Sequence, residues 1–349
     1  MSQPQASERQ YTIAVIFAME IELNAFRFML DEVYHDRPPP RRGDPNRYFF
    51  GRVGRHNVVL ARPPEKQGIG AAATVVTNLS RTFASISWRL LVGVGGGVPG
   101  RQHDIQLGDV VISMPTPRDT HGGIVQYSLG RDGEQGFKRK GFLHQPPSYL
   151  VSTVAEMRAN HMEGSGRVEG AVKTKNNLTA LLQRGEEIRK TYQQPDRRTD
   201  ILFPDDVPHA AGMTDCSQCN SDNIEERPKR SLNHPKIHYG LIASGDEVIA
   251  SVRRRNELMQ RVNGDVLCFE MEAAGIATEY PCLVIRGISD YADQHKTKGW
   301  QPYASATAAA CAKELLGLIE PDDAYAASRD LASPAESVLS HYLYNLQHK

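Results

Sequence analysis

Three acids stand where short apolar runs end. Glu22 follows "YTIAVIFAM", Glu272 lies two residues after Glu270 in "VLCFEMEAAG", and Asp290 closes "CLVIRGISD". Glu20 and Asp246, the latter in "SGDE", occupy similar places. Carboxyl groups gathered in one pocket can pass protons and stabilise positive charge, and burial tunes which of them holds a proton. The plainer alternative for any single acid is that it caps the helix that follows it.

These acids need a scaffold that makes strand ends meet. Apolar runs occur at 11–18, 56–62, 88–97, 108–115, 238–246, 265–271 and 282–290, and helical patterns at 20–30, 68–86, 247–262 and 306–320. Strands alternating with helices point to one α/β domain over residues 11–320, with a mixed or parallel sheet covered on both faces. Open α/β sheets bind ligands at the carboxyl ends of their strands, so the acids are expected to share one pocket. The glycine run "GVGGGVPG" (93–100), with Gly95 and Gly96 at its centre, follows a strand and would let the backbone approach a ligand. It does not continue as G-x-G-x-x-G into a helix, so it is not read as a dinucleotide fingerprint.

Composition narrows the partners. Lys plus Arg and Asp plus Glu both total 41, so no net field attracts nucleic acid or an anionic membrane. No 18-residue apolar run occurs, and the polar start lacks the order of a secretory signal. The five cysteines are too few and too scattered for a disulfide framework. A soluble cytoplasmic protein with a small-molecule partner is expected.

Residues 116–236 differ in character. They are rich in Arg, Lys, Gln, Pro and Gly, with one amphipathic helix near 148–161, and read as a polar insertion. Cys216-x-x-Cys219, followed after 14 residues by His234-x-x-x-His238, has the spacing of a Cys₂His₂ zinc site. His238 opens an apolar strand, however, and the intervening residues lack a finger helix. Free thiols or a local disulfide are therefore expected, and no metal or cofactor is assigned to the chemistry. Basic residues at 137–141 and at Arg253, Arg254 and Arg255 could meet phosphate groups or could be solvated faces. Residues after 320 read as a helical tail (321–349).

Six segments, "VIFAMEIELNAF", "VGVGGGV", "LGDVVIS", "GLIASGDEVI", "FEMEAAGIA" and "VIRGISDYAD", occur in this order. Together they resemble the nucleoside phosphorylase superfamily. The likeness is strongest to 5′-methylthioadenosine/S-adenosylhomocysteine nucleosidases and to phosphorylase-like modules of fungal immune-receptor-type proteins. The resemblance implies a three-layer α/β/α fold around a central mixed sheet and a cofactor-independent enzyme, with a homodimer as the expected assembly. By position, Glu22 would orient the attacking water and Glu272 would grip the ribose hydroxyls, with Met271 packed on the sugar. Glu270 would be its structural partner or a second contact. Asp290 would serve the purine N7, Arg286 would hold the region in order, and Val248 with Ile249 would form part of the base wall. Cleaving a ribosyl C–N bond in this way divides acid, base and charge-stabilising roles among carboxyls, as glycoside hydrolysis does.

Departures from the resemblance refine it. The arginine and serine that phosphorylases use for phosphate fall at Leu91 and Val94, and Glu22 would repel phosphate. Hydrolysis is therefore expected over phosphorolysis. Val248 stands where the nucleosidases often carry a stacking phenylalanine, which leaves the 5′ substituent open. The expected activity is purine nucleoside hydrolysis to free base and ribose. The alternatives are release of adenine from ATP or another adenine nucleotide, phosphorolysis, and a non-catalytic nucleotide sensor.

Overall fold

The computed structural model describes residues 11–63, 67–100, 102–115, 121–163, 172–213, 215–219, 224–227, 230, 234–262 and 264–320. The tail expected at 321–349 lies outside the described residues. Strands β1 (Ile13–Ile16), β2 (Glu32–Tyr34), β3 (Arg47–Val53), β4 (His56–Arg62), β5 (Trp88–Gly97) and β6 (Val110–Ser113) come first. They are followed by β7 (Ile124–Gln126), β8 (Gly130–Gly133), β9 (Gly136–Arg139), β10 (Ile237–Ser244), β11 (Val266–Glu270) and β12 (Leu283–Asp290). Every residue of β1, β6, β11 and β12 is buried, so these strands read as unbroken apolar runs rather than alternating ones.

Ten of the strands form one mixed sheet in the order β11-β10-β6-β12-β5-β1-β4-β3-β2, with β7 beside β10. The inner pairs β4–β1–β5–β12 run parallel, whereas β12 and β6 are antiparallel. β11 also pairs antiparallel with β5 at Cys268↔Gly97 and Phe269↔Gly96. That extra pairing closes β5, β12, β6, β10 and β11 into a ring, and residues at or near the carboxyl ends of β1, β5, β11 and β12 line one cavity.

The helices are α1 (Glu20–Arg27), α2 (Ile69–Thr82), α3 (Ser148–Glu163), α4 (Val172–Leu182), α5 (Glu186–Tyr192), α6 (Val252–Val262), α7 (Ala273–Ala277) and α8 (Gln301–Leu316). α8 lies on β12 and β5, with Ala304, Ala306, Ala308, Ala309, Ala310 and Ala312 buried. The small residues let it come close: a Cβ at Gly287 of β12 would overlap the Ala304 carbonyl oxygen.

Two expectations need correction. The helix expected over 247–262 begins only at Val252, because residues 245–251 are held as a loop: the Glu247 N–H donates to the Tyr127 hydroxyl at 3.2 Å and the Gly245 N–H to the Glu270 carbonyl at 3.2 Å. Among its described residues the segment 116–236 holds three α-helices rather than one, and β7 joins the main sheet. Leu150, Val154, Met157, Leu178, Leu181 and Tyr192 from it belong to the main core. Its charged composition hides this packing because each helix presents only a few apolar residues inward. Among the described residues no helix is long and apolar enough to cross a membrane.

Overpacking at the α8–β12 contact is expected to cost about 1–3 kcal/mol. Urea denaturation of Gly287→Ala should therefore show a lower midpoint with an unchanged slope.

Candidate active site

Arg286 of β12 has no solvent exposure, and three carboxylates surround its guanidinium. Its Nη2 donates to Glu270 Oε2 and, at 3.0 Å, to Glu272 Oε2, while Nη1 lies 4.0 Å from Glu22 Oε1. Glu270 ends β11 and accepts the N–H groups of Glu272 at 3.1 Å and Ala273 at 3.0 Å, so it also caps α7. Glu272 Oε1 accepts the Gly68 N–H at 3.1 Å. One cation cannot neutralise three buried anions. Burial pushes Glu272 up to about 7 against the pull of Arg286, and the neighbouring Glu270 and Glu22 carboxylates add to the rise.

Glu22, in the first turn of α1, turns back over its own helix start. Its Oε2 accepts the N–H groups of Ala18 at 2.9 Å and Met19 at 2.7 Å, and its Oε1 accepts the Val94 N–H at 2.8 Å. Burial holds it above the usual carboxylate range despite Arg286 and these three donors. Gly93 explains how Glu22 and Arg286 meet across β5: a Cβ there would overlap both Arg286 Nη1 and Glu22 Oε1. Arg286 Nε and Nη1 are buried without a hydrogen-bond partner among the described residues.

Asp290 ends β12 and lines the same cavity as Glu22 and Glu272. Its Oδ2 accepts from Ser289 Oγ at 2.8 Å and lies 3.0 Å from Lys296 Nζ, and its Oδ1 accepts the Ala292 N–H at 3.0 Å. Ala292 is, among the described residues, the one non-glycine with positive φ, at 53°. Left-handed backbone costs an L-residue about 1–2 kcal/mol. Here it turns the chain so that the Ala292 N–H points back at the carboxylate.

Glu22, Gly95, Gly96, Val248, Ile249, Glu270, Met271, Glu272 and Asp290 all line one cavity of about 350 Å³, with Arg286 behind its acidic wall. That volume suits a small organic ligand. Ile249 is buried and Val248 is 61% exposed at the rim. The remaining strand-end acids have other partners. Asp246 Oδ1 accepts the Ile69 N–H at 2.7 Å and so caps α2, and Glu20 is an exposed residue 3.6 Å from Arg62. Capping and cavity roles thus divide among acids that look alike in sequence.

Phe269, Ser289, Lys296 and Lys298 also line the cavity and were not legible as site residues. A lysine six residues beyond "GISD" was the available signal for Lys296.

The proposed partners of Cys216 and Cys219 do not meet them. His238 Nε2 is 2.9 Å from Asp109 Oδ2, and His234 Nδ1 is 3.2 Å from the Pro235 carbonyl. His238 is fixed by its place in β10, which aims it at the buried acid. Both cysteines are free thiols, and His209 and His295 stand beside them instead. Nor do the basic clusters reach the cavity: none of residues 137–141 lines it. Arg253 pairs with Glu257 at 3.0 Å, Arg254 with Glu247 at 2.6 Å and Arg255 with Asp205 at 2.8 Å.

A mixed sheet with helices around it and an acid-lined cavity at its strand ends defines a nucleoside phosphorylase-like α/β protein. A family model described as "Phosphorylase superfamily" matches residues 12–158 and 187–320, and the chain belongs to that superfamily. The match runs into both ends of the expected insertion and leaves only 159–186 between its parts. The chain is 37% identical over 318 residues to a nucleotide-binding leucine-rich repeat (NLR)-like protein of Hyaloscypha variabilis, which covers 91% of this chain but 30% of that protein. It is 33% identical over 90 residues to a 5′-methylthioadenosine/S-adenosylhomocysteine nucleosidase of Mycobacterium bovis, 24% of this chain and 34% of that one. The chain therefore spans about a third of the length of either relative. Futalosine hydrolase of Helicobacter pylori has the same fold, with a TM-score of 0.54 at 17% identity, covering 88% of this chain and 98% of that one.

Removing the guanidinium leaves three buried carboxylates without a counter-ion, a change that typically costs about 3–5 kcal/mol. Arg286→Met should accordingly unfold at a much lower denaturant concentration than the parent chain, as followed by circular dichroism.

Proposed function

We propose that this chain is an N-ribosyl hydrolase that cleaves purine nucleosides of the adenosine, inosine or guanosine type to free base and ribose. The observation that carries the reading is that Glu22, Glu272 and Asp290 line one cavity, with Arg286 beside both glutamates. In this reading the purine lies against Ile249 and Phe269 and the ribose packs on Met271. Glu272 accepts hydrogen bonds from the ribose hydroxyls. The C1′–N9 electron pair leaves with the purine, whose N7 takes a proton through Asp290, and the Lys296 ammonium beside it is the proton source. Water forms the new bond to C1′ and gives its proton to Glu22. Ionised Glu272 stabilises the positive charge that develops on the sugar.

Hydrolysis is favoured over phosphorolysis because Glu22 presents a carboxylate to the water's position, where a phosphate monoanion or dianion would be repelled. One observation favours a second reading, an adenine nucleotide as substrate: the exposed Lys298 lines the same cavity as Lys296 and could meet a phosphate chain.

Incubation with adenosine, inosine, guanosine and ATP, with and without phosphate, tests both readings by product chromatography. Free base should form at the same rate without phosphate. Ribose 1-phosphate, or no product until phosphate is added, would overturn hydrolysis, and turnover of ATP alone would select the second reading. Asp290→Asn and Glu272→Gln should each lower kcat by about 10²–10⁴-fold while leaving the circular dichroism unchanged.

The pH dependence has a defined sign. Glu272 acts as an ionised acceptor and is held up to about 7, so kcat/KM should fall as pH drops through that value. A pH–rate profile of Glu272→Gln should lose the part of the acid limb centred there.

A further inference from the structure

The cluster of Cys216, Cys219, His209 and His295 has no part in the chemistry above. One ligand atom from each of the four lies within 4.8 Å of the other three. Cys216 Sγ is 3.7 Å from His295 Nδ1. A tetrahedral zinc ion, with Zn–S of about 2.3 Å and Zn–N of about 2.0–2.1 Å, separates sulfur from nitrogen by about 3.6 Å. The turn that presents the sulfurs is already closed, with the Cys219 N–H donating to the Cys216 carbonyl at 3.1 Å.

The tautomer of His295 follows from its other nitrogen. Nε2 lies 3.0 Å from the Val207 carbonyl, which can only accept, so Nε2 carries the proton and Nδ1 turns its lone pair towards the sulfur. A metal-bound histidine ordinarily has this second hydrogen bond to a carbonyl or carboxylate. The ring is also fixed from the side: Phe203 stacks on it at 3.9 Å and 17°, and His209 meets it edge-on at 5.4 Å. His295 is buried, and His209 and both cysteines are half-buried.

We propose that Cys216, Cys219, His209 and His295 form a structural Cys₂His₂ zinc site. All four protein ligands fill the tetrahedron, so the site has no open position for catalysis. The ion staples residues 207–219 to the loop after β12. Lys296, which follows His295 directly, reaches Asp290 from that loop, so the zinc fixes the backbone that presents the lysine.

The full chain, purified under reducing conditions and exchanged into metal-free buffer, should retain about one zinc per chain by elemental mass spectrometry. Cobalt added to stripped protein should give thiolate-to-metal charge-transfer absorption and the intense visible bands of tetrahedral Co(II). Cys216→Ser, Cys219→Ser and His209→Ala should each lose at least about tenfold in retained zinc, while His234→Ala keeps it. Stripping the metal should lower the thermal midpoint. The proposal is overturned if the folded parent chain neither retains zinc nor takes up cobalt, if its thiols are found as a Cys216–Cys219 disulfide under those conditions, or if His234→Ala loses the metal and His209→Ala does not. The parent-chain measurements decide the matter even where a variant fails to fold.

Discussion

A single guanidinium, Arg286, holds three carboxylates in the middle of the sheet, and much of the molecule is arranged around that excess of negative charge. If all three were ionised, two negative charges would remain uncompensated in a buried place. Electrostatic interactions are strong there because little water screens them. The structure answers with backbone donors: Ala18, Met19 and Val94 for Glu22, Gly68 for Glu272, and Glu272 and Ala273 for Glu270. Apart from Val94, which lies within β5, each donor comes from a strand end or a helix start, so the positions of β1, β5, α2 and α7 are tied to the same charge cluster. Burial raises the proton affinity of Glu22 and Glu272, and at Glu272 the neighbouring carboxylates add to it.

That arrangement shows why a purely structural reading of the acids is half right. Glu270 caps a helix and neutralises Arg286 at once, and Asp246 caps α2 from a different part of the chain. Glu22 also satisfies its own helix start while facing the cavity. Capping and ligand binding are not competing uses of a carboxylate when the helix begins at the cavity wall. The ring closed by β11 and β5 is what brings these helix starts together.

Sequence periodicity carried the central strands well because their residues are buried on both faces, and missed β2, β3 and β7, whose burial is mixed; it carried the strand-end acids because an acid after an apolar run is conspicuous. It carried the segment from 116 to 236 poorly. Leu178 and Leu181 are among the few apolar contacts that α4 makes, too few to stand out among lysines and asparagines. It also did not find the histidines that stand beside Cys216. Spacing along the chain favoured His234 and His238, but β10 carries His238 to Asp109, while His295 arrives from 79 residues away through the turn after β12. Lys296 escaped for the same reason, since its partner is set by how that turn folds back rather than by any local pattern.

Ala292 ties two parts of the cavity together. The Asp290 carboxylate is aimed by the backbone two residues further on, through an N–H that a left-handed turn directs at it. Strained backbone of this kind gathers where geometry matters more than local comfort. Ala292 is buried in the same apolar cluster as Ile249 and Phe269, so the turn that aims the acid rests on two residues that also line the cavity. A change at Ile249 or Phe269 that admits a bulkier ligand also presses on the turn that holds the acid, so in a fold of this kind selectivity and the chemistry it serves are coupled through one patch of apolar packing.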